Sequence, residues 1–174
     1  MNKMNTSTKK VQPIHLKWQF FIVLFVVAVI SNYVWELLQS PFYTGMQINS
    51  KMFGHCFFAS LGDGVIVLVI YFFDWLIFRR WELIGQTVRL RLAVMVSTGF
   101  IVGAIIEWIG VFGLQRWSYN DLMPIFPGLR IGLIPTMQMV ILPPIIFLIV
   151  EKWWLGLISG RTSLRSPTGK KIPK

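Results

Sequence analysis

Three acidic side chains interrupt otherwise apolar stretches of this sequence: Glu36, Asp63 and Glu107. A carboxyl group in apolar surroundings can hold its proton near neutral pH while a neighbouring carboxyl stays ionised, and such a pair can act as acid and base. A histidine side chain can exchange a proton near neutral pH, and His55 lies in the same stretch as Asp63. We therefore predict that Glu107 and Asp63 transfer protons in catalysis, with His55 or Glu36 assisting.

Composition excludes a soluble domain. Hydrophobic residues make up 55% of the 174 residues, charged residues only 14%, and the mean hydropathy is +0.62. Soluble domains are charged at about a quarter of their residues. The 17 Lys and Arg residues outnumber the 7 Asp and Glu residues. Because the basic residues lie between apolar stretches, we expect no nucleic-acid partner. The chain is predicted to be an integral membrane protein.

Four stretches reach the roughly 20 apolar residues that a membrane helix needs, at about 19–39, 54–78, 92–114 and 129–151. No small-residue cleavage site follows the first stretch, so we interpret it as a retained span. The predicted fold is all-α, a polytopic bundle of four transmembrane helices. Residues 1–18 and 152–174 are expected to be basic tails, the second of them disordered.

Basic residues predict the orientation of the bundle. Fourteen of the 17 Lys and Arg fall in the two tails and in the loop between spans two and three. Because short cytoplasmic loops are rich in Lys and Arg, both termini are predicted to be cytoplasmic, in a prokaryotic inner membrane. Asp74 lies near Arg79 and Arg80 on this side and is interpreted as an interfacial charge.

Depth along the spans places the polar residues in the outer half of the bilayer. Glu36 and His55 lie near the outer ends of spans one and two, Asp63 and Glu107 lie deeper, and Gln138 lies about two turns into span four. An ionisable group inside a span costs roughly 2.5–3.5 kcal/mol to insert and usually faces the bundle interior. These residues predict one polar pocket open to the outside, although Glu36 and His55 would also suit a headgroup interface.

Helical spacing supports an inward orientation for Glu107. Gly99, Gly103, Glu107 and Gly110 share one face of the third span. Small residues at this spacing let a second helix approach closely. Asn32, Glu36 and Gln39 likewise share a face of the first span.

Further polar and aromatic residues are predicted to bind a substrate. Trp117 and Tyr119 lie in an outer loop, where they either anchor at the headgroups or cover the pocket. The substrate-binding candidates are Gln39, Tyr43, Trp108, Trp117, Tyr119 and Gln138. As an alternative, Glu36, His55, Asp63 and Glu107 could bind a divalent metal, although a single His makes a zinc site weak. The sequence does not indicate which cofactor, if any, is bound.

The order of motifs resembles a set of small prokaryotic four-span membrane proteins. The chain contains WELLQSPFYTGM (35–46), LGD (61–63), RWSYNDLMP (116–124) and GLIPTMQ (132–138). They fit the shared pattern WE..Q.P.Y, LGD, a Glu in the third span, W.Y...MP and GL.P..Q. The resemblance covers about residues 33–145 and implies a four-span fold, with no assigned reaction.

Three classes of function fit these features. The first is an intramembrane acid/base enzyme or a binding protein for a lipid or isoprenoid. The second is a small proton-coupled transporter, acting as a homo-oligomer, although the sequence shows no polar path to the cytoplasm. The third is a non-catalytic membrane assembly factor whose acidic residues pair with a partner's span.

Overall fold

The computed structural model describes residues 14–79 and 88–164, with side chains from 18 to 79 and from 88 to 157. These residues form four long helices: α1 (Ile14–Gln39), α2 (Ser50–Phe78), α3 (Val88–Trp108) and α4 (Leu133–Leu164). A 3-10 turn (Ser40–Phe42) follows α1, and a π-helical turn (Ile109–Gly113) continues α3. Within this part of the chain there is no strand. The predictions for residues 1–13, 80–87 and 165–174 lie outside the described residues.

All four helices are long and apolar enough to cross a membrane. The spans that satisfy this criterion are Trp18–Phe42, Ser50–Phe78, Val88–Gly113 and Leu133–Leu157. The predicted all-α, four-span architecture is therefore confirmed.

The fourth helix differs from the prediction at both ends. It begins at Leu133 rather than near residue 129, because the preceding residues form a turn in which Phe126 N donates to Ile131 O over 2.8 Å. It also continues to Leu164, into the segment 152–174 that was expected to be disordered. The apolar residues at 153–155 and at 157 extend the helix beyond Glu151, so the prediction of disorder from residue 152 is wrong for the described part.

The bundle has a connection end and a terminal end. At the connection end, residues 40–49 join α1 to α2 and residues 114–132 join α3 to α4; the terminal end is the opposite one. Each helix packs against its neighbours in the sequence, and α1 also packs against α4. Among these neighbouring pairs, α2 and α3 contact each other least. Buried apolar side chains fill the half nearer the terminal end. They include Leu24, Ala28, Val67, Ile70, Met95, Ile146 and Phe147.

The small residues of α3 bring it close to α4, as their spacing predicted. A Cβ atom added to Gly99 would lie 2.0 Å from the backbone oxygen of Met139, so only glycine permits this distance between the helices. Gly103 also faces Met139. This close contact places the next residue of the same face, Glu107, inside the bundle with 6% of its surface exposed.

A buried ion pair lies near the terminal end. Asp74 of α2 and Arg91 of α3 are both 0% exposed, and the Arg91 guanidinium donates to both carboxylate oxygens of Asp74. Asp74 is therefore not an interfacial charge beside Arg79 and Arg80. Arg91, which was counted with the loop residues, lies within α3 because that helix already begins at Val88.

Candidate functional site

A cavity of about 540 Å³ lies within the connection end of the bundle. Its wall contains eight of the residues predicted from the sequence, contributed by all four helices and both connections: Glu36, Gln39, Tyr43, His55, Asp63, Glu107, Trp117 and Gln138. Apolar side chains such as Phe58, Ile66 and Met139 make up much of the remaining wall. The structure therefore brings all three acidic residues into one cavity.

Gln138 connects the polar residues of the cavity. Its side-chain Nε2 donates to Asn32 Oδ1 over 2.8 Å and to Asp63 Oδ2 over 3.0 Å. Its Oε1 accepts from Gln39 Nε2 over 3.1 Å. One α4 residue thus links two residues of α1 and one of α2. Asn32 was not among the predicted site residues, although its spacing from Glu36 placed it on the same face.

A pair of carboxyl groups lies beside Gln138. Gln39 Nε2 donates to Glu36 Oε1 over 2.7 Å, and Gln138 Nε2 donates to Asp63 Oδ2 over 3.0 Å, so the two carboxyl groups lie on adjacent amides that are hydrogen-bonded to each other. A carboxylate only accepts hydrogen bonds, whereas a protonated carboxyl group can also donate one. The pair can therefore hold a proton and release it.

Glu107 has separate hydrogen-bond partners. Its Oε2 accepts from Trp117 Nε1 over 3.3 Å and from the hydroxyl group of Tyr119. The Tyr119 oxygen in turn accepts from the backbone N–H of Gly132 over 2.8 Å. Both aromatic side chains therefore bind a carboxylate inside the bundle. This favours the prediction that they cover the pocket over the prediction that they anchor at the lipid headgroups.

The two connections pair with each other across this end. Thr44 N donates to Ser118 O over 2.9 Å and Asn120 N donates to Phe42 O over 3.1 Å. These bonds flank an antiparallel bridge between Tyr43 and Tyr119. No pattern in the sequence predicts this pairing, which places the two connections side by side over the cavity.

Both tyrosines of this bridge stay protonated over a wide pH range. Burial, and then the nearby Glu107, raise the pKa of the Tyr119 phenol above its ordinary value of 10.0. The same two causes raise the pKa of Tyr43. Tyr119 therefore remains a hydrogen-bond donor to Glu107 throughout the physiological range.

The remaining predicted residues lie at the edge of the cavity or away from it. His55 lines the cavity but is exposed. Tyr119 contacts Glu107 without lining the cavity itself. Trp108 is 56% exposed and packs against Phe112, outside the cavity, so it is removed from the candidate site.

Arg116 also lines the cavity, although it was not among the predicted site residues. Its position directly before Trp117, in the RWSY segment, could have indicated that it lies near the cavity.

Among the described residues, no group of three or more His, Cys, Asp or Glu side chains is arranged to hold a metal ion.

No protein-family model matches the sequence, and no curated protein or solved structure shows significant similarity to it.

Proposed function

We propose that the protein binds a lipid or isoprenoid from the membrane in this cavity and transfers protons to or from it. The observation that carries this proposal is the position of three carboxyl groups, from α1, α2 and α3, around one largely apolar cavity. An apolar wall accommodates a hydrocarbon chain, and carboxyl groups held away from water can act as acid and base. On the orientation predicted from the basic residues, the cavity faces the outside of an inner membrane.

The carboxyl groups have different roles in this proposal. The Glu36–Asp63 pair can donate a proton to the ligand, while Glu107, held by Trp117 and Tyr119, can accept one from another atom of the same ligand. Such a transfer leaves the protein with the same number of protons before and after. The converted ligand is therefore an isomer of the original one, since one of its atoms gains a proton and another loses one.

A transporter has less support. Below the cavity, side chains with no exposed surface, such as Leu24, Val67 and Met95, fill the bundle toward the terminal end. The buried Asp74–Arg91 pair lies beyond them, but the two polar regions are separated by this apolar core. Assembly with a partner and formation of a homo-oligomer stay predictions.

Native mass spectrometry of the detergent-purified protein tests the proposed function. We expect lipid extracted from the native protein to separate by chromatography into two isomers of equal mass, and lipid extracted from Glu107→Gln to be the unconverted isomer alone. Glu107→Asp, which keeps the carboxyl group, should retain some conversion. Ile105→Met serves as the matched control, because Ile105 is 52% exposed on the same helix.

Two results would contradict the proposal in different ways. A native protein that carries no lipid would rule out the binding function. Equal conversion by the native protein and by Glu107→Gln would rule out Glu107 as a proton-transfer residue. The same spectra give the mass of the assembly, and so test the predicted homo-oligomer.

A further inference from the structure

The wall of the cavity is thin between α2 and α3, where both helices contribute lining residues. These two helices are tied near the terminal end by Asp74 and Arg91, and they contact each other less than the other neighbouring pairs do. Near the connection end the cavity lies between them, with Ile66 and Ile106 in its wall. Gly62 of α2 also lines the cavity, is exposed, and a Cβ there would meet nothing within 4 Å. The cavity therefore has a lateral opening at Gly62.

The polar side of the cavity supplies hydrogen-bond acceptors. The side-chain N–H groups of Gln39, Gln138 and Trp117 donate to residues of the wall itself. Since Gln39 Nε2 donates to both Glu36 Oε1 and Gln138 Oε1, the orientation of its amide is fixed by its neighbours.

One acceptor in this wall has no donor. Gln39 is 2% exposed, and its Oε1 has no hydrogen-bond partner among the described residues. A buried acceptor without a donor is costly, and because Gln39 belongs to the cavity wall, the available donor is a group on the ligand. Together with the neighbouring carboxyl groups of Glu36 and Asp63, it offers several acceptors to one group.

Charge is distributed unevenly along the cavity. The three carboxyl groups lie within the bundle, whereas Arg116, the cationic residue of the lining, is exposed on the connection that follows α3. A ligand with a positive group inside and a negative group at the rim would match this order.

We propose that the ligand is an amphiphile whose headgroup ends in a primary ammonium, and that it reaches the cavity sideways from the membrane through the gap between α2 and α3. An ammonium group has three donors and no acceptor, which suits Gln39 Oε1 and the carboxyl groups of Glu36 and Asp63. The phosphate of an amino phospholipid would lie toward Arg116, and its chains would leave past Gly62. This inference rests on the proposed function, because it specifies the ligand of the same cavity.

The headgroup is tested by competition among lipids. The full-length protein is incubated with vesicles that contain equal amounts of phosphatidylethanolamine, its N-acetylated derivative and phosphatidylglycerol, then extracted for native mass spectrometry. We expect phosphatidylethanolamine to be retained about tenfold or more over the N-acetylated lipid, which has the same chains and no ammonium. Gln39→Met should abolish this preference.

The path is tested with two glycines of α2 that both have open space around them. Gly62→Phe places a ring at the lateral opening, and we expect it to lower lipid retention about tenfold or more. Gly54→Phe is the matched control, because a Cβ at Gly54 also meets nothing within 4 Å and Gly54 does not line the cavity. It should retain lipid like the native protein.

Each other outcome overturns a defined part of the inference. Equal retention of the amine and the N-acetylated lipid, or preference for phosphatidylglycerol, overturns the ammonium ligand but leaves lipid binding intact. Full retention by Gly62→Phe overturns the lateral path. Retention of no lipid by the native protein overturns both this inference and the proposed function.

Discussion

Arg91 of α3 donates through Nε to Oδ2 of Asp74 in α2 over 3.0 Å, at a depth where neither side chain has any exposed surface. The Arg91 guanidinium also lies over the ring of Phe78, 5.5 Å from its centroid. These contacts join the two helices that separate around the cavity. The ion pair therefore fixes one end of the gap through which we propose that a lipid passes.

Removing one member of this pair should destabilise the protein strongly. Asp74→Leu leaves a buried guanidinium without its carboxylate, which costs about 3–5 kcal/mol in comparable cases. The double variant Asp74→Leu/Arg91→Met replaces both charges with apolar groups and should recover most of this loss. Reversible unfolding in mixed detergent micelles measures both free energies.

Arg89 provides the control for that experiment, because it is exposed on the same helix two residues away. Arg89→Met should change the free energy of unfolding little. The single variant Arg91→Met completes the cycle. A double variant that loses as much stability as Asp74→Leu and Arg91→Met lose together would show that Asp74 and Arg91 are not coupled.

Gln138→Met should destabilise the connection end. The variant keeps the length of the side chain but removes three hydrogen bonds, to Asn32, Asp63 and Gln39. Side-chain hydrogen bonds between membrane helices contribute about 0.6 kcal/mol each on average, so we expect a loss of about 2 kcal/mol. The same unfolding assay measures it. Ile141→Met, at a partly exposed position on the same helix, should be neutral, and equal stability of both variants would contradict the role of Gln138.

The four spans and the inward face of α3 were predictable from the sequence. That face extends further toward the start of the helix than was predicted. Gly99, Gly103 and Glu107 repeat every four residues, and the same step backward reaches Met95 and Arg91, both buried. The predicted face began only at Gly99, because Arg91 was assigned to a basic loop and the third span was expected to begin at about residue 92. Charge placement indicates the side of the membrane, but it does not distinguish a loop residue from the first turn of a helix.

The site residues that lie on helices were predictable from their depth in the membrane and their helical spacing. Trp108 could have been excluded by the same geometry, since it follows Glu107 and so points about 100° away from the buried face. The bridge between Tyr43 and Tyr119 could not have been predicted. It joins two irregular connections through a few backbone hydrogen bonds, and no periodic pattern in the sequence marks such a contact.

High pH should weaken the protein through its tyrosines. Folding raises the pKa of Tyr119, through burial first and Glu107 second, so above pH 10 the unfolded chain releases this proton while the folded protein keeps it. Stability is therefore full below about pH 10 and falls as the pH rises above it. Thermal unfolding between pH 8 and 11 should show this loss, and Tyr119→Phe should lose less. An identical pH dependence for both proteins would contradict the buried position of the Tyr119 phenol.

The pairing of the two connections can be tested by a disulfide bond. Tyr43 and Tyr119 face each other between the bonds from Thr44 to Ser118 and from Asn120 to Phe42, which makes them a non-hydrogen-bonded antiparallel pair. The Cα atoms of such pairs are about 4.5 Å apart, within the range that disulfides span. Tyr43→Cys/Tyr119→Cys should therefore oxidise readily in membranes.

Two details make that crosslink specific. The native thiol is removed by Cys56→Ala, and the disulfide is detected as a reducible change in mobility after cleavage at a protease site inserted between the two positions. Tyr43→Cys/Asp121→Cys is the control, because Asp121 is exposed on the same connection two residues further along. Since that residue lies outside the bridge, its pair should form the disulfide much more slowly. Equal rates would mean that the connections move freely past one another, and the Tyr43–Tyr119 bridge would then not be a fixed cover of the cavity.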